Sequence, residues 1–133
     1  MAAALFSKTS LAAAIIKLYT CPDEIYLDYL DTLFASNIKA IVNDEALHFD
    51  DVNDKVKELR AGPKLSFPVL DLLRDGKNFA WRHVGKSTLL EGKKKGVQTF
   101  VFEELDDEGR VMRQNERVVI FESWFGDQQN TGW

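Results

Sequence analysis

What most constrains this chain is a change of hydrophobic period partway along it. Through the first third, apolar residues recur at helical spacing; from residue 65 they alternate in strand-like runs that last nearly to the C-terminus. Side chains three and four apart share a helix face, and side chains two apart share a strand face, so the two periods mark two kinds of element. Leu11, Ile15, Leu18 and Tyr19 predict a first helix, begun by Ser7, Thr9 or Ser10. Thr20-Cys21-Pro22 breaks it; Pro22 suits the first turn of the next helix, and Asp23 and Glu24 complement its positive end. Tyr26, Tyr29, Leu30, Leu33 and Phe34 continue as a broad apolar stripe.

Ser36-Asn37 predicts a short helix restarting through Val42, followed by a strand over 46–50. Asp50 or Asp51 can cap a further helix with Val52, Val56 and Leu59 on one face, ended by Ala61-Gly62-Pro63. Strand-like runs follow at 65–74, 79–90, 97–105 and 110–122, joined by Asp75-Gly76, a glycine-bounded turn at 92–96 and Asp106-Asp107-Glu108-Gly109. Helices first and an antiparallel meander after predict an α+β class with helices packed on one sheet face. At 133 residues the expectation is one domain over 1–125, with 1–20 as an additional N-terminal helix and 126–133 as a flexible tail.

The charge pattern narrows the partners. A formal net charge of -4 argues against a general nucleic-acid or anionic-membrane surface. Lys93-Lys94-Lys95 reads as a solvated hairpin turn. No apolar stretch is long enough to cross a bilayer, and the first residues lack the ordered regions of a signal peptide. One cysteine, Cys21, suits a reducing compartment, so the protein is expected in the cytoplasm. Two histidines and one cysteine argue against a structural zinc site, and no metal or other cofactor is expected. Gly85-Lys86-Ser87 lacks the upstream glycine of a phosphate loop and lies within a strand. No histidine stands near Cys21 in sequence to activate it as a nucleophile.

Four places carry candidate chemistry. His48 and Asp50 share one side of the predicted 46–50 strand, where helices meet the sheet; each also has a plain reading, Asp50 as helix cap and His48 as a buried, hydrogen-bonded side chain. Phe79, Trp81 and His83 alternate with Ala80, Arg82 and Val84, so only one set faces inward, and an aromatic wall with Trp81 and His83 suits an apolar ligand. Met112, Gln114, Glu116, Val118 and Ile120 share a face without a basic residue, the better interior candidate, where burial raises a carboxyl pKa and suits a general acid. The alternative for Glu116 is a cross-strand ion pair on the outer face. Glu103 and Glu104 stand on opposite sides of their strand, so one of them also faces inward or into an interface, ranking below Glu116.

Several stretches in this order resemble the nuclear transport factor 2-like superfamily, and within it the SnoaL-like polyketide cyclase and ketosteroid isomerase branch. They are Tyr29-Leu-Asp-Thr-Leu-Phe-Ala-Ser-Asn37, Asn43-Asp-Glu-Ala-Leu-His-Phe-Asp50, Leu70-Asp-Leu-Leu-Arg-Asp-Gly76, Phe79-Ala-Trp-Arg82 and Phe102-Glu-Glu-Leu-Asp-Asp-Glu-Gly-Arg-Val111. The resemblance implies a cone of helices and curved sheet enclosing an apolar cavity, with dimerisation through the outer sheet face. It places Asp50 near the isomerases' general base and Tyr29 near the phenol that polarises the carbonyl. It places Glu116 near the acidic residue of the last strand in the cyclases and epoxide hydrolases, and Arg82 near an arginine of the latter. The chain departs where the isomerases carry an acid on the fourth strand, which aligns with Val101, and where the cyclases carry Trp-Asp, which aligns with Asn115-Glu116.

Together these features predict a cofactor-independent cyclase, isomerase or dehydratase acting on an apolar carbonyl compound such as a polyketide or terpenoid intermediate. Asp50 or His48 would act as base, Tyr29 or His83 as donor to the enolate, and Glu116 as acid, in a homodimer. The alternative is a non-catalytic ligand-binding or dimerisation module of the same fold.

Overall fold

The computed structural model describes residues 1–62, 68–88 and 94–122. A short 3-10 turn, Ala4–Phe6, precedes helix α1 at Lys8–Thr20, and α2 follows at Asp23–Leu33. Strand β1 covers Phe34–Val42, β2 covers Glu45–Leu47, and α3 covers Phe49–Ala61. Four strands complete the chain: β3 at Val69–Asp75, β4 at Asn78–Thr88, β5 at Lys94–Leu105 and β6 at Val111–Glu122. All six form one sheet in the order β2-β1-β6-β5-β4-β3. The meander β3 to β6 is antiparallel, as its hairpin signals predict, whereas β1 lies parallel to β6 and makes the sheet mixed. This is the expected α+β architecture of helices on one face of a sheet.

Local chemistry explains the helix starts. The Ser7 hydroxyl accepts the Ser10 amide at 3.0 Å and so satisfies one of the free donors at the start of α1. Pro22 precedes α2, and Asp23 and Glu24 occupy its first turn. The core gathers around Leu5, Leu11, Leu30, Ile38 and Val111, all essentially inaccessible. Each such side chain contributes about 1.5–3 kcal/mol by leaving water. Within the described residues no helix is long and apolar enough to cross a membrane.

Two expectations at the helix–sheet junction are corrected. The segment through Val42 is strand β1, not a helix: Ile38, Ala40 and Val42 face inward while Lys39 and Ile41 face out, a period of two in a stretch rich in β-branched residues. Asn43 and Asp44 then take positive φ angles of 48° and 71°, closing a two-residue hairpin into β2. The strand predicted over 46–50 ends at Leu47, because the Asp51 carboxylate accepts the His48 amide at 2.9 Å and turns the chain into α3. Parts of the predicted runs 65–74 and 79–90, residues 92 and 93 of the 92–96 turn, and the 126–133 tail lie outside the described residues.

Candidate active site

Between the inner sheet face and helices α1 and α3 lies a cavity of about 420 Å³. Helix α1 contributes Ala14, Ile15, Leu18 and Tyr19, and α3 contributes Val52, Val56 and Leu59. Strand register arranges the sheet wall in rows. Phe79, Glu103, Gln114 and Ala40 stand abreast in one row, Trp81, Val101, Glu116 and Val42 in the next, and His83, Thr99 and Val118 in the third. A polar stripe thus crosses an otherwise apolar wall, the arrangement by which small-molecule sites hold and orient a ligand.

Glu103 and Glu116 are diagonal cross-strand neighbours, which places their Cβ atoms about 7 Å apart. Glu103 is 4% exposed, and its Oε1 accepts the Trp81 indole N–H at 2.6 Å. Burial pushes the Glu103 carboxyl up to about 7, against the indole bond, which favours the charged form; the nearby Glu116 adds to the rise. Burial likewise pushes Glu116 up to about 7. The His83 ring stacks on Trp81 with centroids 5.1 Å apart, and burial lowers its pKa to about 4, so the imidazole is neutral at neutral pH. The Tyr19 phenol is held protonated, first by burial and then by the Glu116 charge.

Neighbouring contacts hold Glu116 in place. Asn43, in the β1–β2 turn, donates its amide N–H to the Glu116 carbonyl at 2.9 Å, and its side-chain oxygen accepts the Val118 amide at 2.8 Å. Its side-chain nitrogen also donates to the Val118 carbonyl at 3.3 Å. The hairpin therefore clamps β6 at the Glu116 carbonyl and at Val118.

Of the residues singled out from sequence, Glu116, Trp81 and His83 line this cavity and Asp50, His48, Tyr29 and Arg82 do not. His48 and Asp50 are exposed at the start of α3, where His48 is the cap and Asp50 lies in the first turn; ending β2 at Leu47 removes their shared strand face. Tyr29 is half-buried against α1, its hydroxyl donating to the Ala14 carbonyl at 3.4 Å and its ring covered by the Lys17 ammonium. Arg82 points to the opposite sheet face, where it pairs with Asp71 at 2.7 Å; alternation with Trp81 and His83 demands this. The inward glutamate of the 103–104 pair is Glu103. The position aligned with the isomerases' acid, Val101, carries no acid, but Glu103 stands two residues further along the same face. Tyr19 reads in the sequence as core stripe and emerges as cavity wall. Among the described residues no group of three or more His, Cys, Asp or Glu side chains is placed to hold a metal ion.

No family model matches the sequence, and no curated protein matches it. Solved structures do match in fold. IdmH from Streptomyces antibioticus, named as a candidate polyketide cyclase, is 14% identical with a TM-score of 0.66; the match covers 84% of this chain and 91% of IdmH. A SnoaL-like polyketide cyclase from Agrobacterium tumefaciens is 18% identical with a TM-score of 0.60, covering 80% of this chain and 86% of the other. An NTF2-like protein of unknown function from Exiguobacterium is 16% identical with a TM-score of 0.63, covering 80% of this chain and 96% of the other. The chain therefore has the NTF2-like α+β fold that these SnoaL-like and NTF2-like structures share.

Proposed function

We propose that this cavity performs cofactor-independent acid–base chemistry on an apolar carbonyl compound, as a cyclase, isomerase or dehydratase. The observation that carries the reading is a pair of carboxyls, buried Glu103 and half-buried Glu116, opening on one apolar cavity with pKa values both raised to about 7. Two neighbouring carboxyls poised near neutrality supply a base and an acid from the same site. The ionised member removes a proton beside the carbonyl. The protonated member, or the neutral His83 ring, donates to the carbonyl oxygen as charge develops there. Return of the proton at another carbon gives isomerisation, attack of the enolate on a second carbonyl gives ring closure, and protonation of a departing hydroxyl gives dehydration. The Trp81 indole fixes the direction of Glu103, and the apolar walls fold the substrate and exclude water.

Deuterium exchange tests the first step without knowledge of the natural substrate. Incubation with 1-tetralone in D2O, followed by mass spectrometry, is expected to show protein-dependent exchange beside the carbonyl that Glu116→Gln abolishes. Equal exchange with wild type, with Glu116→Gln and without protein contradicts the reading.

A second reading, a ligand-binding module of the same fold, is favoured by the placement of His48 and Asp50 at a helix start and away from the cavity. That placement removes two proton carriers, but Glu103 restores one. A homodimer is part of the proposal. The outer sheet face sets Leu73, Ala80, Phe102 and Ile41 in register on consecutive strands around Asn115, with Phe102 63% and Leu73 71% exposed, a row suited to a second copy.

A further inference from the structure

The carboxyls that face the cavity are not joined in ion pairs, among the described residues, to the cations that also line it. Two carboxyls open on it, and neither is paired with a basic side chain among the described residues. Lys55 is the one basic side chain of the described lining; it is exposed on α3 and makes no ion pair with either glutamate. The Met1 amine faces Glu103 and donates to the Thr32 carbonyl at 3.3 Å. Glu103 also has the Trp81 indole. Glu116 has no such donor: among the described residues no hydrogen bond or ion pair reaches its carboxyl, while the Tyr19 phenol stands near it and Trp81 occupies the same cross-strand row.

A half-buried carboxyl beside aromatic rings, with no cation bonded to it among the described residues, is chemically incomplete as a structural device, since an unpaired carboxylate out of water is costly. The same features make a receptor for a cation that a ligand brings with it. An ammonium entering the cavity exchanges its hydration for a carboxylate and for the negative faces of aromatic rings. A carboxylate entering the same space meets a like charge in a poorly screened environment.

We propose that the cavity selects its ligand by charge, taking an apolar skeleton that bears a protonated nitrogen held at Glu116 beside Tyr19 and Trp81, and rejecting the carboxylate counterpart. This narrows the substrate class of the site proposed above and rests on that cavity being the ligand site, whichever reaction occurs there. An apolar amine also decides the protonation of the pair. Its ammonium keeps Glu116 ionised, and any proton Glu116 held in the empty cavity passes to solvent.

Three probes with one bicyclic skeleton test the selection: 2-aminotetralin, 2-hydroxytetralin and tetralin-2-carboxylate, titrated by calorimetry at pH 7.5. The amine is expected to bind roughly ten-fold more tightly than the alcohol, and the carboxylate at least about ten-fold more weakly than the alcohol. In Glu116→Gln the amine should lose its advantage while the alcohol's affinity stays within about three-fold, which separates lost charge from lost shape. An alcohol that binds wild type as tightly as the amine overturns charge selection and leaves the cavity as the ligand site. Binding of none of the three overturns both the ligand-site reading and the inference that rests on it.

Discussion

The Trp81 indole N–H reaches from β4 to the Glu103 carboxyl on β5 across 2.6 Å, in the cavity wall. A neutral donor on a carboxyl oxygen favours the charged form, so this bond opposes the burial that raises the Glu103 pKa. Trp81→Phe keeps an aromatic wall and removes the donor. Its cost, read from urea unfolding, is expected to be about 1.5–3 kcal/mol at pH 8, where Glu103 is ionised, and clearly smaller at pH 5. Equal losses at the two pH values would show that the indole acts by packing alone.

Glu103 itself makes stability depend on pH. Its folded pKa, about 7, lies above the ordinary 4.5, so between those values the folded protein holds a proton that the unfolded chain has lost. Stability contributed by this group is therefore present below about pH 4.5, falls as pH rises through about 7, and is level above that. His83 works in the opposite sense between its folded value of about 4 and its ordinary 6.5, stability rising with pH across that window. Glu103→Gln keeps an acceptor for Trp81 and removes the carboxyl's part. The variant is expected to melt above wild type at pH 8, with the gap closing toward pH 4.5; a gap that does not change with pH contradicts a raised Glu103 pKa.

Glu116→Gln is close to isosteric and leaves the backbone clamp by Asn43 intact, since those bonds use main-chain atoms of β6. Its melting temperature at pH 5 should stay near wild type. Protein-dependent tetralone exchange should fall by about 10²–10⁴-fold, the usual contribution of a positioned proton carrier. Unchanged exchange removes Glu116 from the proton transfer.

The start of α3 separates cap from catalyst. Asp51→Ala removes the acceptor of the His48 amide and is expected to cost about 1 kcal/mol. Asp50→Ala and His48→Ala should leave exchange at the wild-type rate, because both side chains are exposed outside the cavity. A large loss of exchange in Asp50→Ala would return the base to Asp50.

The outer sheet face gives a test of assembly. Phe102 is exposed on β5 opposite Ala80 and Asn115, away from the cavity. Phe102→Glu is expected to convert a dimer to a monomer in native mass spectrometry with little change in far-ultraviolet circular dichroism. A wild-type chain that is monomeric at micromolar concentration contradicts the dimer.

Architecture was legible wherever periodicity was long. The alternation of Phe79, Trp81 and His83 against Ala80 and Arg82, and of Gln114 and Glu116 against Arg113 and Asn115, sorts these residues into faces because a strand flips every second side chain, but leaves open which face turns inward. Short elements were not legible in the same way. Ser36-Asn37 looks like a helix start, yet the Ile38, Ala40 and Val42 alternation is what pairs with β6, and the tertiary partner decides. Asn43-Asp44 carried a usable signal, since both residues tolerate positive φ and together make a tight hairpin turn. His48 and Asp50 share one face only if the strand runs two residues past His48, the cap of α3. Glu103 was visible as one of a pair of which one faces inward. What ranks it beside Glu116 is its register opposite Gln114, diagonal to Glu116, a relation between strands that no local pattern expresses.

The central claim is that Glu103 and Glu116 form a proton-transfer pair in a ligand cavity, and carboxyl carbon-13 NMR across a pH titration tests it most directly. With glutamate labelled at the side-chain carboxyl and Glu103→Gln and Glu116→Gln used for assignment, two resonances are expected to titrate near pH 7, well above the other glutamates. Both should shift when 2-aminotetralin is added. Titration of both carboxyls near 4.5, with no response to the amine, would contradict the account.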